Sequence, residues 1–196
     1  MSPAVFTLVT TILAIAPKEA VQKGTDHLRT VLKKSNAQPG EIMKVVEQFV
    51  DLGELAKRSL GDAWGERTSQ ERTEFVSTMK EVLRASYEDT ARQQLKGEIQ
   101  YGKEEIDGDE ATVSATVKEK ADEVPLVYKL YRASNGWMVY DLVVDESSLL
   151  EQYRSSFKRA IATKGFAGLL AQLNAKKAEI EKRAKNEQAP APAPKN

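Results

Sequence analysis

The length and charge of the chain set the first limits on its function. It has 196 residues with 29 basic and 29 acidic side chains, so its net charge is zero, and this length suits one domain with terminal extensions. No overall field therefore attracts nucleic acid or an acidic membrane surface. There is no cysteine and one histidine, His27, which excludes thiol catalysis, disulfides, histidine triads and multi-histidine metal sites.

The charges are distributed unevenly along the chain. Residues 98–123 carry nine acidic and three basic side chains, a net charge of −6, whereas residues 149–185 carry nine basic and three acidic ones, a net charge of +6. Segments of this kind are either solvated surface or surfaces for docking. His27 is predicted to be a surface residue of an early helix.

The first feature along the chain is an uncharged apolar run at residues 4–16, AVFTLVTTILAIA. It is shorter than the ~20 residues that cross a bilayer and fits the ~7–15 residues of a signal-peptide core. Ala14 and Ala16 are the small residues typical of a cleavage site. We therefore predict export with loss of residues 1–16. A buried first helix and a retained anchor are the alternatives.

The next three elements are predicted to be helices. Residues 17–35 show a polar helical pattern, and a second pattern over residues 42–56 ends at Gly61. The third and longest helix opens at Thr68, which forms a capping box with Glu71. The apolar positions that define the three patterns are Val21, Leu28, Val31 and Leu32, then Ile42, Val45, Val46, Phe49, Leu52, Leu55 and Ala56, then Phe75, Met79, Val82, Leu83 and Tyr87.

Strands follow the helices. Residues 97–106 are a weak strand, and a turn at residues 107–109 leads to residues 111–117, which alternate apolar and polar side chains. Residues 124–132 and 137–144 flank Asn135 and Gly136 and should pair as an antiparallel hairpin. We assign Leu126, Tyr128, Leu130, Trp137, Val139 and Val143 to one face, and Val127, Tyr131, Met138, Tyr140, Leu142 and Val144 to the other. A hairpin that is apolar on both faces must be covered on both or enclose something apolar.

A helix is predicted after the hairpin, because Tyr153, Phe157 and Ile161 recur every four residues, and Gly165 should end it. A charged helix follows from residue 176, and residues 186–196 form a proline-rich tail predicted to be disordered. The fold class is α+β, with a curved four-stranded antiparallel sheet packed with about five helices.

Candidate catalytic and metal-binding residues are few. Asp141 should share a face with Leu130 and Val139, and a carboxylate in apolar surroundings can act as a general acid or base. The alternative is that Asp141 caps or orients neighbouring structure, which we favour because no second titratable residue converges on it. Asp107 and Asp109 lack the further oxygen ligands of a calcium loop. We therefore predict no catalytic residue and no metal site.

Seven short motifs in order along residues 49–173 carry a resemblance. They are Phe49-x-Asp51, Leu60-Gly61 with Trp64, Gln70-x-Arg72-x-x-Phe75, Tyr87, Gly136-Trp137-x-Val139-Tyr140-Asp141, Tyr153-Arg154-x-x-Phe157 and Gly165-x-x-Gly168-Leu169. In these motifs the chain resembles the MlaC or toluene-tolerance family. The resemblance implies a nuclear-transport-factor-2-like cone with an apolar cavity, and a periplasmic phospholipid-binding component that serves an ABC transporter.

The resemblance also implies the ligand and the partners. The partners would be phospholipid, an inner-membrane ABC transporter complex and an outer-membrane lipoprotein complex, with no nucleic acid and no cofactor besides the lipid cargo. No family motif marks the residues of the lipid pocket. From the spacing of apolar side chains alone, we predict that the pocket is lined by Phe49, Leu55, Phe75, Met79, Leu83, Tyr128, Tyr140, Tyr153 and Phe157. A cone-fold enzyme that uses Asp141 on a small hydrophobic substrate is the alternative, and a structural adaptor in a membrane complex is a third hypothesis.

Overall fold

The structure, a computed structural model, describes residues 15–34, 39–94, 97–119 and 122–187. The predicted signal peptide falls outside these ranges except for its last two residues. The predicted tail falls outside them from residue 188 onward. Within the described ranges, no helix combines the length and the hydropathy needed to cross a membrane.

Helices come first in the chain, then the sheet, then a long final helix. The helices before the sheet are α1 (Pro17–Leu32), α2 (Pro39–Val46), α3 (Leu52–Leu60), a 3₁₀ turn (Gly61–Trp64) and α4 (Ser69–Gln94). The strands are β1 (Glu98–Asp107), β2 (Glu110–Glu119), β3 (Asp122–Ala133), β4 (Gly136–Val144) and β5 (Ser147–Ser148), and α5 (Leu149–Glu187) follows them. The predicted α+β class is confirmed.

Within the described ranges, the sheet has five strands in the order β1-β2-β3-β4-β5, and every neighbouring pair is antiparallel. The prediction of four strands missed β5, whose Ser147 and Ser148 pair with Val144 and Val143. A two-residue strand is too short to show an alternating pattern, so the sequence carries no signal for it.

A β-bulge in β4 changes the predicted faces of the hairpin. Leu130 pairs with Val139, but the preceding Lys129 pairs with Asp141, so Tyr140 is an extra residue in β4. Beyond it the alternation is inverted. The predicted faces are therefore wrong for residues 141–144, since Leu142 now shares a face with Tyr128, Val144 with Leu126, and Val143 with Val127.

The second predicted helix is divided into α2 and α3. Between them the chain runs beside β4, where Val139 N donates to Phe49 O at 2.8 Å and Asp51 N donates to Val139 O at 2.8 Å. The Asp51 side chain then caps α3 by accepting from Glu54 N at 2.9 Å. The prediction of one continuous helix was wrong because its middle residues pair with a strand.

Two local predictions about helix ends are confirmed. Thr68 and Glu71 form the capping box, with Thr68 N to Glu71 Oε2 at 2.8 Å and Glu71 N to Thr68 Oγ1 at 3.2 Å. Gly165 breaks α5 with φ 68° and ψ 177°. The break divides α5 into a first half of residues 149–164 and a second half of residues 166–187.

Among the described residues, the buried apolar side chains form two clusters. The sheet cluster lies between the sheet and α1 and α2, and it contains Val21, Leu28, Val31, Ile42, Val45, Phe49, Ile99, Ala111, Val113, Ala115, Leu126, Tyr128, Leu130, Trp137 and Val139. The helix cluster is built mainly by α3, α4 and α5, and it contains Met43, Leu52, Leu55, Ala56, Leu60, Phe75, Met79, Val82, Leu83, Tyr140, Leu150, Phe157, Ala160, Phe166, Leu169 and Leu173. Val46 and Val50 contact both clusters.

Candidate functional site

The helix cluster is the candidate site because it is a large apolar interior to which four helices and one strand contribute. Phe75 and Met79 at its centre are fully buried. The Phe75 ring meets Phe157 edge-on with centroids 5.5 Å apart, and its centroid lies 6.1 Å from that of Phe166. These contacts join α4 to both halves of α5, because the residues before and after the break at Gly165 pack against the same aromatic ring.

The structure divides the nine residues predicted to line a pocket between the two clusters. Phe49 and Tyr128 belong to the sheet cluster. The remaining seven are buried in the helix cluster or, for Tyr153, packed against it: Leu55, Phe75, Met79, Leu83, Tyr140, Tyr153 and Phe157. The periodic pattern indicated that each side chain is buried, and it held no information about which cluster would receive it.

Phe49 reaches the sheet cluster because α1 has a glycine where the ring lies. A Cβ atom at Gly24 would stand 2.2 Å from the Phe49 ring. The short backbone pairing with Val139 holds Phe49 at this place. Phe49 therefore packs between α1 and the sheet, away from the aromatic residues of α4 and α5.

A polar network joins α3 to the sheet at the border of the helix cluster. The Arg58 guanidinium carbon lies 3.8 Å from the centroid of the Tyr140 ring and 5.6 Å from that of Tyr131. Arg58 Nε also contacts Glu54 Oε1 at 2.9 Å, and Arg58 Nη2 contacts Glu110 Oε1 at 2.9 Å. We refer to these five residues as the Arg58 clasp.

The two tyrosines of the Arg58 clasp remain neutral at physiological pH. The Tyr131 hydroxyl donates to Asp51 Oδ2 at 2.6 Å, and burial together with this bond raises the pKa of Tyr131 above its usual range. Burial and a hydrogen bond to Glu110 raise the pKa of Tyr140 to about 12. The sequence analysis missed the Arg58 clasp, because Glu110, Tyr131 and Tyr140 lie far from Arg58 in the chain and follow no common period with it.

Asp141 has a structural role. Its side chain is fully buried, and its oxygens accept from Ser148 Oγ at 2.7 Å and from Leu150 N at 2.9 Å. Lys129 Nζ lies 3.2 Å from Oδ2. Because of the bulge, the predicted placement of Asp141 on the face of Leu130 was wrong. The alternative prediction, that Asp141 orients neighbouring structure, is confirmed, since it holds the start of α5.

Among the described residues, no group of three or more His, Asp or Glu side chains could hold a metal ion. Open depressions occur on the surface of the part of the chain that the structure describes. One of about 690 Å³ lies between α4 and Lys177, and one of about 560 Å³ lies beside Ser147 and the start of α5. Serine, glutamine and charged side chains line both, and threonine side chains also line the first. His27 is exposed as predicted, with Nδ1 3.1 Å from Gln48 Oε1.

The fold and the site define a small α+β protein built around an apolar interior, in which the buried Asp141 makes structural contacts. The family model described as MlaC protein matches residues 18–175. The chain therefore belongs to the MlaC family, and the resemblance seen in its motifs is confirmed.

A solved structure has a similar fold. It is the phospholipid-binding protein from Ralstonia solanacearum, determined in complex with a phospholipid. The match has a TM-score of 0.75 and 21% sequence identity, and it covers 85% of this chain and 99% of that one. No curated protein sequence matches the chain.

Proposed function

We propose that the protein is a soluble carrier of phospholipid, and that it is not an enzyme. The helix cluster carries the proposal, because it is an apolar interior next to the sheet in a fold shared with a protein that binds phospholipid. Membership in the MlaC family supports the same function. The acyl chains would lie between the helices and the sheet, with the head group near the surface.

The energetics explain why a carrier needs such an interior. Each methylene group moved from water to hydrocarbon gains ~0.8 kcal/mol, so two acyl chains with about thirty methylenes hold a lipid in a bilayer by on the order of 20 kcal/mol. A binding site must offset nearly all of this free energy. Exchange between membrane and carrier is then close to thermoneutral, so that partner proteins can set its direction.

Lipid binding requires the helix cluster to open. Phe75, Met79 and Leu83 pack against their neighbours and are at most 2% exposed. α3, α4 and α5 contact one another more extensively than they contact β4. We therefore propose that the three helices move together away from the sheet, and that the Arg58 clasp must part for this movement. Met43 and Met79 are flexible side chains that can repack around acyl chains.

The carrier would work between two membranes. We propose that it resides in the periplasm and moves lipid between an inner-membrane ABC transporter complex and an outer-membrane lipoprotein complex, with no cofactor besides its cargo. The apolar run at residues 4–16 supports export. N-terminal sequencing of protein from the periplasmic fraction should show that residues 1–16 are absent. An intact Met1 in the cytosol would count against this part of the proposal.

Native mass spectrometry tests the cargo. Protein purified without detergent should carry a mass excess equal to a glycerophospholipid that organic solvent extracts. Leu83→Trp fills the helix cluster and should lower the bound fraction. Leu130→Trp makes the same change in the sheet cluster, and the folded protein should keep its lipid. Each change costs about 1–3 kcal/mol of stability, so bound lipid is compared per folded molecule, as judged by circular dichroism.

A structural adaptor is the second candidate function, and the close packing of both clusters favours it. An adaptor would hold no lipid and would take none from vesicles or from a transporter complex. Lipid-free protein from cells rich in phospholipid, together with a failure to take up lipid, would replace the carrier proposal with the adaptor.

A further inference from the structure

Arg58 lies where the apolar interior meets solvent. Its guanidinium carbon is 3.8 Å from the centroid of the Tyr140 ring, and Tyr140 belongs to the helix cluster. The Arg58 side chain is nevertheless 26% exposed. A lipid with its acyl chains in the helix cluster would place its phosphate at such a border, because burying a charged group costs far more than burying the chains. Arg58 is therefore a cation at a position that suits the head group.

The partners of Arg58 come from both sides of the proposed opening. Glu54, which accepts from Arg58 Nε at 2.9 Å, belongs to α3 as Arg58 does. Glu110, which accepts from Arg58 Nη2 at 2.9 Å, is the first residue of β2. Tyr131 and Tyr140 belong to β3 and β4. When α3 moves away from the sheet, Arg58 keeps Glu54 but loses Glu110 and both rings.

An anion from the cargo can replace the lost carboxylate. Removing one partner of a charge pair beside an apolar interior is costly. A phosphate, like a carboxylate, presents anionic oxygens to which the planar guanidinium can donate two hydrogen bonds. The phosphodiester of a glycerophospholipid carries one negative charge, as Glu110 does. The exchange therefore leaves the charge balance with the other carboxylates of this region, Glu54 and Asp51, unchanged.

We propose that Arg58 binds the phosphate of the lipid cargo, in place of Glu110, once the helices have moved away from the sheet. This inference rests on the proposed carrier function and names the residue that selects the cargo. Glu110 holds the guanidinium in the empty protein, and the phosphate holds it in the loaded protein. The carrier should therefore prefer a lipid that has a phosphate to a neutral lipid with the same acyl chains.

Arg67 provides the comparison. Its guanidinium carbon lies 4.9 Å from the centroid of the Phe166 ring, which also belongs to the helix cluster, and its side chain is 20% exposed. Its carboxylate partners are Glu66 and Glu71, which are close to it in the chain. Movement of the helices away from the sheet does not separate Arg67 from them. Arg67 thus stays paired and should not take up the phosphate.

Competition between two lipids tests the proposal. The protein is incubated with micelles of a non-ionic detergent that hold equal amounts of phosphatidylglycerol and diacylglycerol with the same acyl chains. Native mass spectrometry then gives the ratio of the two adducts. We expect phosphatidylglycerol to be in excess, and we expect Arg58→Gln to lower the ratio about ten- to a hundredfold, the effect of losing a hydrogen bond to a charged group. Both adducts form on the same folded molecules, so the ratio does not depend on the folded fraction.

Three further variants separate phosphate binding from a loosened clasp. Glu110→Gln also weakens the Arg58 clasp but leaves Arg58 in place, so the preference should remain. Arg58→Lys keeps the positive charge without the planar arrangement of donors and should keep part of the preference. The matched control Arg67→Gln should keep the ratio of the original protein. Equal losses in Glu110→Gln and Arg58→Gln would mean that the loosened clasp sets the selectivity, which overturns the proposal.

Inorganic phosphate tests whether the ligand is the lipid or the free anion. It offers the same oxygens without acyl chains, and Glu110 occupies Arg58 Nη2 while the clasp is closed. We therefore expect it to leave the thermal midpoint of the delipidated protein unchanged. A rise in the midpoint that Arg58→Gln abolishes would assign Arg58 to free phosphate and overturn its assignment to the cargo.

The outcomes keep this proposal apart from the carrier function. If the protein binds both lipids equally, or if Arg58→Gln keeps the preference, Arg58 does not select the cargo and the carrier function stands. If Arg67→Gln alone loses the preference, the head group lies beside Phe166, which also overturns the proposal. If the protein binds neither lipid, the carrier function fails and this inference fails with it.

Discussion

Asp141 holds the beginning of α5 through hydrogen bonds to Ser148 and Leu150, while Lys129 balances its charge. Hydrogen bonds to a charged group contribute about 1.5–3 kcal/mol each. We expect Asp141→Ala to lower the free energy of unfolding by about 3 kcal/mol or more, measured by urea denaturation. The fraction of folded protein that carries lipid should stay the same.

The control for this change is Asp109→Ala. Asp109 is also paired with a cation, Arg132 at 3.3 Å, but its side chain is 86% exposed. Removing an exposed ion pair should change stability by less than about 1 kcal/mol. Normal stability of Asp141→Ala together with lost lipid handling would show that Asp141 acts in function, and would restore the enzyme hypothesis.

The titration of Tyr140 should make the free energy of unfolding decrease at alkaline pH. Its pKa is about 12 in the folded protein and about 10 in an unfolded chain. Between these values the native state keeps a proton that the unfolded chain has lost, so the free energy of unfolding decreases as the pH rises from about 10 to about 12. In Tyr140→Phe this decrease should be shallower, as measured by urea midpoints across that range.

The decrease should not vanish in the variant, because burial also raises the pKa of Tyr128 and of Tyr131. Identical slopes for the variant and the original protein would show that Tyr140 does not titrate in the Arg58 clasp.

At the scale of elements, the break in α5 depends on one glycine. The backbone of Gly165, with φ 68° and ψ 177°, is in a region essentially reserved for glycine. No atom lies within 4 Å of a Cβ added there, so the cost of a side chain is in the backbone alone. We expect Gly165→Ala to destabilise the protein by about 1–3 kcal/mol, seen as a lower thermal midpoint.

Gly40 provides the matched control. A Cβ added at Gly40 also meets no atom within 4 Å, but Gly40 does not have a positive φ. Gly40→Ala should therefore be neutral or stabilise the protein by up to about 1 kcal/mol. Equal effects of the two substitutions would mean that the break does not need the left-handed backbone.

The elements that the sequence predicted correctly are those that local chemistry determines. The capping box of Thr68 and Glu71 and the break at Gly165 depend on a few adjacent residues. The division of α2 from α3 depends on pairing between Val50 and Val139, which are distant in the chain. The bulge at Tyr140 depends on the register of β3 against β4. No local pattern encodes either contact, so both were missed.

At the scale of the whole molecule, the same reason limits the predicted site. Burial could be read from periodicity, and seven of the nine chosen residues belong to the helix cluster or pack against it. Phe49 and Tyr128 belong instead to the sheet cluster. Which cluster receives a side chain depends on which helix covers which face of the sheet. Arg58 was missed because a charged residue on a helix gives no sign that it will stack on two tyrosines of a strand pair.

The proposed movement of the helices away from the sheet can be tested with covalent cross-links. Arg58 and Glu110 join α3 to the sheet, whereas Glu81 and Lys177 join α4 to α5 within the helical layer. The chain has no cysteine of its own, so a pair of cysteines at either place can be linked by a short bismaleimide with a cleavable spacer. We expect the link between positions 58 and 110 to stop lipid uptake from vesicles, because it prevents the helices from leaving the sheet.

The link between positions 81 and 177 is the control, since it joins two helices that should move together, and uptake should continue. Cleaving the spacer should restore uptake in the 58–110 protein, which separates the effect of the link from that of losing Arg58. If the 81–177 link alone blocks uptake, the lipid chains pass between α4 and α5. The opening would then lie within the helical layer, and the Arg58 clasp would be a permanent joint of the fold.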